Sequence, residues 1–310
     1  MNTALETADL GKRYGRTWAL RDCSVELPAG RVAALVGPNG AGKTTLLQLA
    51  TGLLRPSAGS IRVLGHSPSD QPKEVLPHIG FVAQDHPLYR GFSVRDMLTM
   101  GRKLNPRWEQ AIATTRLDRL GIPLDRPVEK LSGGQHAQVA LAMVLAKRPE
   151  LILLDEPLAS LDPLARREFL RVLMDATAEH GLTVLLSSHI ITDLERVCDY
   201  LIILSGGHIQ LAGDIEEIVR SHKLLVGART DPDAVASVHN VIEASHTDRQ
   251  TTLLVRVNGH LFDPSWETHD VTLEDIVLAY LSQSAEDRQM GLPLRPAVAP
   301  HLQSSEEARR

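Results

Sequence analysis

From Thr3 to Gly37 the chain alternates short apolar and polar runs broken by Gly15, Pro28 and Gly30, which predicts antiparallel strands. They lead into RVAALV, a continuous apolar run that predicts a buried strand. The pattern then changes: IGFVA, LILLD, TVLLSS and YLIIL are separated by segments of helical periodicity. Continuous runs of that length, alternating with helices, predict a largely parallel sheet covered on its faces. Between Pro87 and Lys130 no strand-like run occurs. There SVRDMLTMGRKL and QAIATTRLDRL predict helices, with breaks at Asn105-Pro106 and Gly121-Ile122-Pro123. Beyond Val219, HKLLVGA, DPDAVASVH, TTLLVRV and VTLEDIVLAYL predict a small α+β appendage ending in a helix that opens on a Thr272 and Asp275 capping pair. From Ser282 on, Pro, Ser, Gln and charge dominate, and disorder is expected. The expected division is a main domain over 1–220 with a helical subdomain at about 87–147, an accessory domain over 221–284, and a disordered tail over 285–310.

Composition changes this picture little. The chain has 310 residues, 43% hydrophobic and 23% charged, as in ordinary globular proteins, and its strongest apolar runs are strand-sized. No segment is long enough for a bilayer span. MNTALETADLGKRYG lacks an apolar core followed by a small-residue cleavage site, so no secretion signal is expected. Cys23 and Cys198 stand alone and are expected as reduced cytosolic thiols. A net charge of -5 disfavours an extended nucleic-acid surface.

Chemistry enters at GPNGAGKTT, Gly37 to Thr45, which fits the spacing of a phosphate loop between a buried strand and a helix. Gly37, Gly40 and Gly42 permit the tight wrap around phosphate. Lys43 is expected at the β- and γ-phosphates and Thr44 on magnesium; Pro38, Asn39, Ala41 and Thr45 complete the loop. LILLDEP ends a buried strand in Asp155 and Glu156. Successive strand side chains face opposite ways, so the two acids are free to take different jobs: Asp155 to support magnesium, Glu156 to poise the attacking water. His189 follows the strand TVLLSS, ahead of a helix that Thr192 and Glu195 are expected to cap. Gln84 follows IGFVA. Both stand where parallel sheets bind ligands.

The order GPNGAGKT, FVAQD, LSGGQ, LILLDEP, SLD and SSH, across roughly Thr3 to Val219, resembles the nucleotide-binding subunit of ABC transporters. The resemblance implies a P-loop NTPase core with an N-terminal antiparallel β subdomain and a helical subdomain carrying LSGGQ. It implies ATP and Mg2+ as ligands, Gln84 as the Q-loop residue on the metal, Asp162 as the D-loop aspartate, His189 as the switch histidine and Tyr14 as the aromatic that stacks on adenine. Two such domains pack head to tail in that family, so Ser132, Gly133, Gly134 and Gln135 are expected to complete the partner's ATP site. Hydroxyl and backbone donors at a helix N-terminus suit a γ-phosphate. Where the family commonly has arginine after the signature, this chain has Gln138, and Ala83 precedes Gln84 where proline is frequent.

LDPLARREFL and the long tail resemble ATPases of bacterial exporters with a separate permease. A homodimer or heterodimer of ATPase subunits is therefore expected, peripheral at the inner face of the cell membrane, with HPLYRGFSVRDML as the groove for a cytoplasmic permease helix and no nucleic-acid partner. An importer ATPase is an open alternative. Nucleic-acid or ribosome-bound members of the family are a second alternative, but no heptads are sustained between Thr45 and Leu131 and one cassette is present. No asparagine is followed by lysine, so the guanine-reading N-K-x-D is absent.

Overall fold

The computed structural model describes residues 2–84, 86–229, 239–257 and 266–290, with side chains to Ser284. Strands β1 (Thr3–Tyr14) and β2 (Thr17–Pro28) form a hairpin about Gly15, whose φ of +59° suits the reversal. β3 (Val32–Val36) is buried throughout and runs through the phosphate loop into α1 (Lys43–Ala50). β4 (Ala58–Val63) returns to the free edge of β1, so the first sheet has the order β2-β1-β4. A one-turn helix α2 (Pro72–Val75) then leads to β5 (Ile79–Val82).

The helical insertion follows: α3 (Val94–Leu104), α4 (Gln110–Arg119) and α5 (Gly133–Ala146). Next come β6 (Leu151–Leu154), α6 (Pro163–His180), β7 (Thr183–Ser188), the single turn α7 (Ile191–Leu194), β8 (Tyr200–Ser205), β9 (His208–Asp214) and α8 (Ile215–Ser221). The central sheet has the order β5-β6-β7-β3-β8-β9, parallel except for the β8–β9 hairpin. Alternate residues of its strands feed two cores. Ala33 and Leu35 pack with α1 and the antiparallel sheet; Val32, Ala34 and Val36 pack with α5 and α6. The insertion has its own core of Leu98, Leu117 and Val139 among others.

The C-terminal sheet has the order β11 (Asn240–His246), β12 (Gln250–Arg256), β10 (His222–Ala228), β13 (Glu267–His269), and α9 (Leu273–Met290) follows. Thr272 and Asp275 cap α9 reciprocally: Thr272 N–H donates to Asp275 at 3.0 Å and Asp275 N–H to the Thr272 hydroxyl at 3.1 Å. Ile276, Val277 and Tyr280 of α9 join the same core as α6 and α7. Polar contacts pin this packing. His222 Nδ1 lies 2.7 Å from the Ile218 carbonyl, so Nδ1 carries the proton and Nε2 accepts from the Tyr280 hydroxyl at 3.1 Å. Burial lowers the His222 pKa and raises that of Tyr280 to about 12, keeping both neutral.

Two sequence expectations change. α9 runs to Met290, so residues 285–290 are helical where a disordered tail was expected; residues 291–310, and most of DPDAVASVH, lie outside the described ones. Thr192 and Glu195 do not cap α7. The Ser188 hydroxyl accepts from Ile190 N–H at 3.0 Å, the turn begins at Ile191, and Thr192 falls inside it. Both cysteines are free and buried, with burial raising Cys23 to about 11 and Cys198 to about 12. Such thiols carry little thiolate at neutral pH.

Because α9 shares its core with the cassette, Ile276→Ala is expected to lower the stability of the whole described fold in one transition, by about 2–5 kcal/mol. Urea unfolding followed by circular dichroism checks this; two separate transitions would count against the shared core.

Candidate functional site

The C-terminal ends of β5, β6, β7 and β3 lie side by side, and each delivers part of the site. After β3 the loop closes as Ala41 N–H donates to the Pro38 carbonyl at 3.1 Å. Gly42 has φ +109°, and a Cβ there would lie 2.6 Å from the Ala19 carbonyl oxygen, so glycine is required on both counts. Gly37 has no room either: its Cβ would come 2.1 Å from the Leu204 carbonyl oxygen. In the first turn of α1 the N–H groups of Lys43, Thr44 and Thr45 have no intrahelical acceptor. Thr44 is exposed beside them.

Lys43 is 6% exposed, and its ammonium donates to the Gly37 carbonyl at 2.7 Å and the Pro38 carbonyl at 3.3 Å. It also lies 3.1 Å from Glu156 Oε1. The other Glu156 oxygen, Oε2, is 2.8 Å from His189 Nδ1. Glu156 itself is in the left-handed region at φ +47°, which turns its side chain back over the strand ends. One neighbour secures that turn with two bonds: Ser187 Oγ accepts from Glu156 N–H at 2.8 Å and donates to Asp155 Oδ1 at 3.0 Å. Asp155 is buried and Gln84 exposed at the next strand end.

The remaining candidates stand apart from this cluster. Ser132 and Gln135 form a capping box at the start of α5, with Gln135 N–H donating to Ser132 Oγ at 3.2 Å. Gly133 lines a cavity of about 440 Å³ with Gln84, His86, Glu129, His136 and Ser160. Among the described residues no hydrogen bond or ion pair joins Ser132, Gly133, Gly134 or Gln135 to the phosphate loop. Asp162 accepts from Leu164 and Ala165 N–H at 3.0 and 2.9 Å, capping α6. Tyr14 is exposed at the end of β1, with Lys12 Nζ 5.5 Å above its ring. Gln138 is buried in α5, and neither its Nε2 nor its Oε1 has a hydrogen-bond partner.

Sequence reasoning missed Ser187. The signal was present: a serine inside the fully buried run TVLLSS must find a partner. The site's oxygen donors, Thr44, Asp155 and Gln84, are the hard ligands magnesium takes, and the loop's free N–H groups with Lys43 suit a triphosphate.

Residues 20–159 match the family model described as ABC transporter. Over 226 residues the chain is 35% identical to the sulfate/thiosulfate import ATP-binding protein CysA of Shigella flexneri and 34% identical to that of Escherichia coli strain K12. Each alignment covers 70% of this chain and 62% of the relative, so the chain spans less than two thirds of the length of these curated relatives. Among solved structures, cbiO1 from Clostridium perfringens, described as part of the ABC transporter complex cbiONQ, superposes with a TM-score of 0.62 at 30% identity, covering 70% of this chain and 91% of that one. An ATP-binding subunit of an ABC transporter gives 0.64 at 29% identity, covering 70% and 92%. The chain belongs to the ABC transporter ATP-binding family and has its P-loop NTPase fold. Mg-ATP is the ligand of that family, and the donors described above fit it.

Ser187→Ala removes one hydroxyl and leaves two buried groups, Asp155 Oδ1 and Glu156 N–H, without it. A loss of about 1–3 kcal/mol in unfolding free energy is expected, read by denaturant titration. A variant as stable as the parent would show that Ser187 does not hold the two acids.

Proposed function

We propose that this chain is the ATP-hydrolysing subunit of an ABC transporter, working as a dimer beneath a separate membrane permease. One observation carries the reading: a buried carboxylate, Glu156, beside the phosphate loop, with one oxygen on Lys43 and the other on His189. In this reading the loop N–H groups and Lys43 bind the β- and γ-phosphates, Thr44, Asp155 and Gln84 hold the metal, and Tyr14 receives the adenine. Magnesium when bound neutralises charge on the β- and γ-phosphate oxygens. Glu156 accepts the proton of the water whose oxygen attacks the γ-phosphorus as the bond to the ADP oxygen breaks. His189 holds Glu156 in place for that transfer. Ser132, Gly133, Gly134 and Gln135 serve the opposite chain's ATP, which accounts for their separation from the chain's own loop.

The coupling to transport is inferred from the relatives. CysA is an import protein by name and cbiO1 is part of a transporter complex. Export, expected from the sequence, gains no support from them; transport through a separate permease is the common ground. No helix among the described residues is long and apolar enough to cross a membrane.

Glu156→Gln is expected to keep Mg-ATP binding and lower turnover on the order of 10² to 10⁴-fold, with the dimer accumulating in Mg-ATP, read by phosphate release and light scattering. Normal turnover in this variant would refute the role of Glu156. Lys43→Ala is expected to abolish tight binding of a fluorescent ATP analogue. Mixed with Ser132→Arg chains, each inactive alone, it is expected to recover part of the ATPase activity, because one composite site of the heterodimer is intact. If Ser132→Arg alone hydrolyses ATP normally, the signature acts only as a helix cap.

A further inference from the structure

His189 is exposed, and its ring is held by the bond to Glu156. Its approach must therefore be set by the backbone that carries it, which passes directly into α7. That single turn has no side-chain cap. Besides the burial of Ile191 and Leu194, a side-chain ion pair ties it to another element: Asp193 Oδ2 lies 3.7 Å from Arg166 Nη1. Asp193 Oδ2 is buried and has no hydrogen-bond partner, so Arg166 is the group that compensates its charge.

The same guanidinium points the other way as well. Arg166 Nε donates to the carbonyls of Leu158 at 3.2 Å and Leu161 at 3.0 Å. Those carbonyls belong to the segment between Glu156 and Asp162, wound by two turns in which Ala159 N–H donates to Glu156 O at 3.1 Å and Leu161 N–H to Leu158 O at 3.2 Å. A planar fork with several donors is suited to hold three acceptors on two segments at once; an ammonium is not. Gln138, from the facing helix, contributes no hydrogen bond to this region.

We propose that Arg166 is a positioning residue that ties the segment following Glu156 to the turn following His189, and so sets the contact between that carboxylate and that imidazole. The inference rests on the proposed hydrolysis of ATP. Among the described residues no hydrogen bond joins Arg166 to Glu156 or His189, and it acts through Leu158, Leu161 and Asp193. Its effect belongs in the chemical step and not in nucleotide binding, because among the described residues no hydrogen bond or ion pair joins it to the phosphate loop.

The test uses the full chain with Arg166→Gln, Asp193→Asn, the double variant and Arg166→Lys, with turnover expressed per nucleotide site titrated by a fluorescent ATP analogue. Each single change is expected to lower kcat about 10- to 100-fold, the scale of a small misplacement of reacting groups, while KM for Mg-ATP stays that of the parent. Arg166→Lys is expected to recover little, since it keeps the charge and loses the fork. The double variant is expected to be no worse than either single one, because both break one link. A purely structural role would lower the melting temperature and leave kcat per site unchanged, which overturns the proposal, as do losses that multiply in the double variant or that fall on KM. Asp193→Asn is nearly isosteric and carries the test if Arg166→Gln does not fold. A parent chain that binds Mg-ATP and never hydrolyses it overturns the proposed function and this inference together; an active parent whose variants match it overturns the role of Arg166 alone.

Discussion

The carboxylate of Glu156 is held between an ammonium and an imidazole at the end of β6, and both it and Lys43 are less than a tenth exposed. Burying either charge alone is costly, and removing one member of such a pair typically costs about 3–5 kcal/mol. The arrangement persists because every element around it supplies a partner. The Gly37 and Pro38 carbonyls take the remaining lysine protons, and Ser187 fastens the turn that brings Glu156 back over the sheet. The left-handed backbone at Glu156 is the cost of that placement, of order 1–3 kcal/mol.

The parallel sheet makes this geometry available. Its strands β6, β7 and β3 are neighbours, so three loops distant in sequence converge within hydrogen-bond reach. The signature stretch belongs to another body, the helical insertion, whose core of α3, α4 and α5 side chains is separate from both cores of the sheet. α5 spans the gap: Leu141 and Leu145 pack on the sheet side while Val139 and Ala142 pack in the insertion. The front of α5 can therefore present donors away from the chain's own loop without loosening the fold.

Much of this was legible in the sequence. LILL and TVLLSS are buried on both faces, so their apolar runs are unbroken and easy to read. The phosphate loop was equally plain, since Gly37 and Gly42 stand where no Cβ fits. Less visible was β4, whose residues are mostly exposed and carry no strong alternation. The last turns of α9 are polar, so their sequence predicts disorder where the chain is helical. The cap expected at Thr192 is false because α7 already starts at Ile191, which puts Thr192 inside the turn and leaves the N-cap position to Ile190, whose side chain has no acceptor to offer. Arg166 was hidden for a different reason: its partners lie 5 and 8 residues before it in the chain and on another element, and no local pattern announces such a junction.

The C-terminal sheet and helix carry a last consequence. Ile242, Leu254, Ile276 and Tyr280 are embedded in the same core as Phe169 and Leu186, and Ser284 donates to Ser205 at 2.7 Å inside it. The appendage is thus not a bead on a string. It cannot be transplanted to another cassette unless the recipient already has apolar residues where this chain has Ile191, Leu194, Leu211 and Ile218, and a cassette shorn of it would expose a sticky face beside α7. A change of volume on either side of this core therefore has to be absorbed by the other.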